Sequence, residues 1–363
     1  MADRNNFWHG RRVLVTGHTG FKGAWLALWL EHLGAEVCGY ALAPEASPNL
    51  FDLLSDWHGL SSIIGDIRDR DALAIGCVFA DPDVVFHLAA QSLVRRGHSD
   101  PQTTFSTNVQ GTANLLGALD GCPGLRAIVV ATSDKCYRND GSGRPFVETD
   151  PLGGDDPYSA SKAAQEMICH GWSRGLYQSR ERAPRLATAR AGNVIGGGDW
   201  AEDRVLPDLF RALARDEPVL LRNPQATRPW QHVLEPLQGY LAYAQQLVRD
   251  TERTLPTALN FGPDAGQSRT VAWLVDQAIG HLRAANEPVA DWQNDAGASR
   301  PEASSLALDP SLAHQVLGWR PVLSQEEGVA WSVEWYKRIG DGEPARDVSL
   351  EQIARYESLL TTL

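Results

Sequence analysis

Tyr158 and Lys162 stand four residues apart in the stretch Asp156-Pro-Tyr-Ser-Ala-Ser-Lys162. Residues 158–162 follow the Asp-Pro pair and open a helix whose apolar pattern runs over 160–172, and residues four apart share a helix face. A lysine ammonium beside a phenol stabilises the phenolate and lowers its pKa. A tyrosine tuned in this way can take the proton of a hydroxyl while hydride leaves the same carbon. The spacing alone is common, and an exposed helix with an incidental Tyr and Lys would also show it. A second motif gives it weight. Near the N-terminus, Gly17-His-Thr-Gly20-Phe-Lys-Gly23 follows the apolar run 13–15 and precedes Trp25, Leu26, Leu28, Trp29, Leu30 and Leu33. Strand, glycine turn and helix in that order are the context of a dinucleotide fingerprint. Gly17 permits the sharp turn, Gly20 lets a pyrophosphate approach the backbone, and Gly23 lets the helix close on the strand. The helix N-terminus then faces the phosphates, with Thr19, Phe21 and Lys22 in the same contact. His18 either donates to a phosphate or fills space.

Alternating strands and helices must hold these groups. Residues 35–42 read as a second strand, 61–67 as a third ending in Gly65-Asp66-Ile67, 84–91 as a fourth and 127–132 as a fifth. The fourth is nearly continuously apolar, as in a parallel sheet covered on both faces. The pattern predicts an α/β fold, a Rossmann-type doubly wound parallel sheet with ligands at the carboxyl ends of its strands. The small residues Ala89 and Ala90 leave room for a ligand there, with Leu88 and Asn108 also expected at the cofactor, and Asn108 begins an apolar-periodic helix. Asp66 can accept from an adenine amino group or cap the next helix. The second strand ends at Tyr40 and Ala41, with no acid for ribose hydroxyls and no arginine for a 2′-phosphate. The missing positive group favours NAD over NADP.

The chain has 363 residues, 43% hydrophobic and 21% charged, with a net charge of −12. That composition is globular, and its sign argues against nucleic acid or an anionic membrane as partner. Five cysteines without a C-x-x-C pair, and a start without an apolar signal core, predict reduced thiols and a cytoplasmic protein. No metal site is expected.

Together these marks, with His87-Leu-Ala-Ala90 and Asn108-Val-x-Gly-Thr112, identify a resemblance. The chain resembles the extended short-chain dehydrogenase/reductase family of nucleotide-sugar enzymes along nearly its whole length. Where the hexose 4,6-dehydratases of that family usually carry Thr-Asp-Glu, this chain has Ser133-Asp134-Lys135. That form, with Gln91-Ser-Leu-Val-Arg95 and Arg228-Pro-Trp-Gln-His-Val233, looks like the branch that dehydrates CDP-glucose in deoxysugar and O-antigen biosynthesis. The resemblance implies NAD as a recycled cofactor, Tyr158 as base at C4, Asp134 as acid and Lys135 as base in water loss, with Ser133 orienting the C4 hydroxyl. The assignment requires Asp134 and Lys135 not to pair strongly. A surface ion pair or strand-end cap is the structural alternative. Epimerases of the family typically lack this pair, and a non-catalytic dinucleotide sensor would be expected to lose Tyr158 or Lys162.

The same resemblance implies a nucleotide-binding lobe over 1–188, with some later segments returning to it, and a smaller mixed α/β substrate lobe over 189–363. Substrate contacts are expected from Gln91, Asn193, Arg204, Arg228, His232 and Arg300. Asn193 is alternatively a turn residue, Arg300 a partner of Glu302, and His232 a structural hydrogen bonder. Trp230 packs on the base or on the core. Family members associate through helices that include the one carrying Tyr158, so a homodimer or homotetramer is expected. Met167 and Ile168 would serve either that contact or the core.

Overall fold

In the computed structural model, residues 6–180, 182–264, 266–295 and 306–361 are described. The central sheet is built from β1 (Arg12–Thr16), β2 (Glu36–Ala41), β3 (Leu60–Ile64), β4 (Val84–His87), β5 (Ala127–Ala131), β6 (Arg185–Ala191) and β7 (Ala258–Phe261). Its order is β7-β6-β5-β4-β1-β2-β3, and every neighbouring pair is parallel. Chain order reverses between β1 and β4, the switch point where doubly wound sheets bind ligands. Register brings the strand ends together there. Thr16 pairs with Tyr40 and His87, and His87 pairs with Val130. Residues 17 and 88 therefore leave the sheet side by side, and β5 runs one residue further before its exit at 132.

The helices follow from burial. In α1 (Phe21–His32) every residue from Gly23 to Leu30 is buried. A helix apolar on all sides must be covered on all sides. The sheet lies on one side of it. On the other lie residues from late in the chain: Tyr240 from α6 (Leu234–Arg249), Trp335 from α8 (Gln325–Gly340) and Tyr356 from α9 (Ala345–Leu360), all in one core with Trp25 and Trp29. A second core fills the opposite face, with Leu73 and Cys77 from α2 (Arg70–Ala80) and Leu115 and Leu116 from α3 (Gly111–Ala118). A third gathers Leu206 and Leu209 from α5 (Val205–Leu213), Leu274 and Val275 from α7 (Val271–Ala284), and Val329 and Val333 from α8.

Element ends depart from the sequence reading where side chains intervene. The helix carrying Tyr158, α4 (Pro157–Gly171), starts one turn earlier than its apolar pattern. Asp156 accepts from the Ser159 N–H, and Pro157 sits where no N–H is needed. The helix expected from Asn108 is preceded by a π turn, Ser106–Gln110. The third strand stops at Ile64, three residues short of the expected end.

Candidate active site

The glycine loop is closed on its protein side and open on the other. A Cβ on Gly17 would lie 2.6 Å from the Ala89 nitrogen, and one on Gly23 would lie 2.0 Å from the Gly17 oxygen. Both positions need glycine for the protein's own packing. A Cβ on the exposed Gly20 would meet only the Gly17 oxygen, at an ordinary 3.4 Å. The protein itself does not demand glycine there, as expected if a ligand does. Gly20 is also the N-cap of α1, with no side-chain cap and no acid in the first turn. Such an end suits a diphosphate. Thr19 donates to the Leu42 oxygen and fixes the loop.

Beyond the loop, Ser133, Asp134, Tyr158 and Lys162 are all buried at the ends of β5 and α4. A short 3₁₀ turn, Asp134–Cys136, follows β5, and Ser133 caps it by accepting from Lys135 N–H at 3.2 Å. Ser133 Oγ donates to Asp134 Oδ1 at 2.9 Å. Asp134 Oδ2 is buried without a partner among the described residues and faces Gly192, where a Cβ would come within 3.3 Å. Asp134 and Lys135 form no ion pair with each other among the described residues.

Burial raises Tyr158 to about 12, with its Ser133 hydrogen bond acting downward and Asp134 upward. The expected lowering by Lys162 does not appear, because that ammonium turns inward. It donates to Gln165 Oε1 at 2.9 Å and to the Ala131 oxygen at 3.3 Å. Burial lowers Lys162 to about 8, against the upward pull of Glu166, so it remains largely charged at neutral pH. Lys22 adds a cation 6.0 Å from the centre of the Tyr240 ring. Burial first, then Arg204 and Lys162, bring it down to about 7, while Asp134 and Asp199 oppose.

Comparison with known proteins agrees with this geometry. Residues 13–260 match the NAD dependent epimerase/dehydratase family. The chain belongs to that family. A CDP-glucose 4,6-dehydratase of Salmonella typhimurium is 42% identical across 99% of this chain and 100% of its own length. A dTDP-glucose 4,6-dehydratase of Streptomyces antibioticus is 28% identical over 90% of this chain and 92% of its own. Among solved structures, the epimerase Mth375 of Methanothermobacter thermautotrophicus superposes with a TM-score of 0.78 at 22% identity, covering 93% of this chain and 96% of that one. The dTDP-glucose 4,6-dehydratase of Bacillus anthracis in complex with NAD gives 0.73 at 21%, covering 91% and 97%. Both share the family fold.

Within that fold several expected contacts are used by the protein itself. Asn108 accepts from Gln91 N–H at 2.8 Å and donates to the Gln91 oxygen and Ser161 Oγ, stapling the β4 exit to α4. Gln91, expected at the substrate, spends both ends of its amide on Thr104 Oγ1 and Leu93 N–H. His232, expected there too, is enclosed between the Trp25 and Trp331 rings, and burial lowers it to about 3. Its Nδ1 accepts from Leu234 N–H at 3.4 Å, and its Nε2 has no partner among the described residues. Arg228 is buried and donates to the Thr227 oxygen. Trp230 belongs to the third core.

The Asp66 carboxylate is clasped by Arg68, and the cap of α2 is Asp69 instead. Ile67 is buried under Gly111, and the partly buried Leu88 packs on the first core. Ala89 and Ala90 line the β4 exit, half-buried, and Phe21 reaches Gly196. His18 turns away from the loop's open face. It lies over Gly39, shares a hydrogen bond with Ser62 Oγ at 2.7 Å, and is lowered to about 4 by burial.

Two expected contacts are less fully committed to the protein. Asn193 Oδ1 is buried without a partner among the described residues, and Arg204 lies 3.4 Å from Asp199 while bearing electrostatically on Tyr158 and Lys22. Arg300 lies outside the described residues.

Sequence reasoning missed Gln165, Thr112 and Asp199. It also missed the buried pair Glu166–Arg190, 2.6 Å apart. Glu166 was findable, since Tyr158, Lys162 and Glu166 follow one another at helical spacing. Asp199, after three glycines, carries no signal.

Proposed function

We propose that the chain is an NAD-dependent hydro-lyase, a CDP-glucose 4,6-dehydratase, forming CDP-4-dehydro-6-deoxy-D-glucose and water. One observation carries this reading. Asp134 and Lys135 stand together on the turn after β5 and form no ion pair with each other among the described residues, so they are available as a second acid and base beside the C4 base Tyr158. Oxidation at C4 requires only Tyr158. Elimination across C5 and C6 requires all three.

Tyr158 takes the C4 hydroxyl proton, with Ser133 orienting that hydroxyl. NAD⁺, when bound, supplies the acceptor for the C4 hydride and gives it back at C6. The ketone at C4 acidifies the C5 proton, which Lys135 removes. Asp134 protonates the C6 oxygen as it leaves as water. General acid–base groups of this kind contribute about 10²- to 10⁴-fold each. The open Gly20 face and uncapped α1 would hold the cofactor diphosphate. Arg204, which bears electrostatically on Tyr158, and Asn193, whose Oδ1 has no partner among the described residues, suit the diphosphate of the substrate.

A homodimer through α4 is favoured by Met167, which is 67% exposed, and Phe105, 40% exposed, while Ile168 packs inward. Five free, buried cysteines suit a reducing cytoplasm. Among the described residues no helix is long and apolar enough to cross a membrane.

The test is incubation with NAD⁺ and, in parallel, CDP-, UDP- and dTDP-glucose and GDP-mannose, with products read by mass. Loss of one water from CDP-glucose, without net NADH, is expected. A product of unchanged mass makes the protein an epimerase and leaves Asp134 and Lys135 without their roles.

A further inference from the structure

Two adjacent arginines, Arg95 and Arg96, hold opposite sides of the cleft. They stand on the short helix Val94–Ser99, on the chain that leaves β4. In the sheet, β4 has β1 and then β2 on one side, and β5 and then β6 on the other. Arg96 Nη1 donates to Glu45 Oε1 at 2.9 Å and to Oε2 at 2.7 Å. Glu45 lies on the chain that leaves β2. This pair therefore joins β2 to β4 and passes the end of β1, where the glycine loop lies. Arg95 Nη1 donates to Asp203 Oδ1 at 2.7 Å, on the chain that follows β6. That pair passes the end of β5, where the Asp134–Cys136 turn lies.

The helix between them is well anchored. Asp203 also accepts from Arg222. A Cβ on Gly97 would lie 3.2 Å from the Tyr158 Cβ, so the helix rests directly on the start of α4. Gln91 holds the segment before it, accepting from Leu93 N–H at 2.6 Å and donating to Thr104 Oγ1 at 2.9 Å. The Glu45 side is different. No residue from 42 to 49 is buried. Thr19 of the glycine loop holds the start of this segment through the Leu42 oxygen at 2.8 Å. A segment with few buried contacts opens at small cost. The end of β2 is also where folds of this kind hold the cofactor ribose, so the Glu45 segment forms the outer lip of the cofactor cleft.

The proposed reaction borrows a hydride at C4 and returns it at C6. Early loss of reduced cofactor would stop it half-way, so slow release is a requirement of the chemistry. We propose that the Glu45–Arg96 pair is a strap across the cofactor cleft that slows release of NAD(H) and keeps it on the protein from one turnover to the next. Glu45 and Arg96 are positioning residues: they hold the lip closed from outside. This role rests on the recycled cofactor of the proposed function and not on the choice of sugar.

The Arg96 side chain is 47% exposed and that of Glu45 65%, and an ion pair of this kind shifts an equilibrium by up to about five-fold. Glu45→Arg and Arg96→Glu each replace attraction by repulsion. Together they restore the pair with its charges exchanged. Each protein is loaded with NADH and mixed with excess NAD⁺, and release is followed by NADH fluorescence with no sugar present. The single variants are expected to release NADH about three-fold faster than wild type or more. The double variant is expected to return to within about two-fold of wild type, and that recovery shows that the exchanged side chains leave the cleft folded. Single variants that release at the wild-type rate, or a double variant as fast as the singles, overturn the strap and leave the cofactor and dehydratase readings intact. Wild-type protein that takes up no NADH removes the cofactor reading and the strap with it.

Discussion

Removing either member of the Glu166–Arg190 pair should cost more than removing both. The side chains are 3% and 5% exposed. Glu166 Oε1 accepts from Thr132 Oγ1, and Oε2 accepts from Thr188 Oγ1 at 2.8 Å and Arg190 Nη2 at 2.6 Å. Arg190 also donates to the Tyr137 hydroxyl and the Glu148 oxygen. Burial opposes its charge, but Glu166 outweighs this and holds its pKa above the ordinary value. Arg190→Met leaves a buried carboxylate with two hydroxyls and no ion-pair partner, only the more distant pull of Lys162, at a cost of about 3–5 kcal/mol. Glu166→Leu strands the guanidinium at a similar cost. The double variant removes both charges; Thr132 loses its partner while Tyr137 keeps Asn260 and Thr188 keeps the Thr257 oxygen, at a cost of about 1 kcal/mol per lost bond, partly offset by apolar packing. Its loss should therefore fall at or below that of either single variant, out of a total stability of about 5–15 kcal/mol. Urea unfolding of the four proteins closes the cycle. A double variant that loses the sum of the two singles would refute the coupling. The stake is functional, because the pair anchors α4 one turn past Lys162 and holds Thr132 beside Ser133.

Three further outcomes follow from particular contacts. Lys135→Met should abolish water release while C4 oxidation remains visible as cofactor absorbance; unchanged turnover would remove the lysine from the chemistry. Gly23→Ala places a Cβ 2.0 Å from the Gly17 oxygen, so the loop must open. NAD affinity measured by calorimetry should fall about ten-fold or more, and unaltered affinity would dissociate the loop from cofactor binding. Glu235 is buried, accepts from Val322 and Leu323 N–H and from the Tyr356 hydroxyl, and is raised by burial to about 7. A carboxyl raised on folding stabilises the fold below its unfolded pKa, about 4.3, and that stabilisation is lost as pH climbs to about 7. Glu235→Gln should therefore gain thermal stability relative to wild type between those values, and a constant difference across the range would contradict the assignment.

The sheet was legible because β1, β4 and β5 are apolar on both faces and the glycine loop marks where β1 ends. The pairing of Tyr158 with Lys162 followed from helical spacing, and the neighbourhood of Ser133 and Asp134 from their place after β5. Orientation was not legible. Lys162 points to Gln165 because an acceptor waits three residues along the same helix, and no periodicity shows which way an ammonium turns. Gln91, Asn108 and His232 read as ligand contacts through the family resemblance. Gln91 and Asn108 bond instead to Thr104 and Ser161, and His232 lies between the Trp25 and Trp331 rings, contacts that no local pattern shows. His18 sits over Gly39 for the same reason: space opened by a glycine in β2 receives a ring from the loop after β1.

The most direct test uses CDP-glucose deuterated at C4. With NAD⁺ and the purified protein, the account predicts a product lighter by one water, with the deuterium at C6 and the reduced cofactor not accumulating. A product of unchanged mass, or a dehydrated product whose deuterium has passed to solvent, would contradict it.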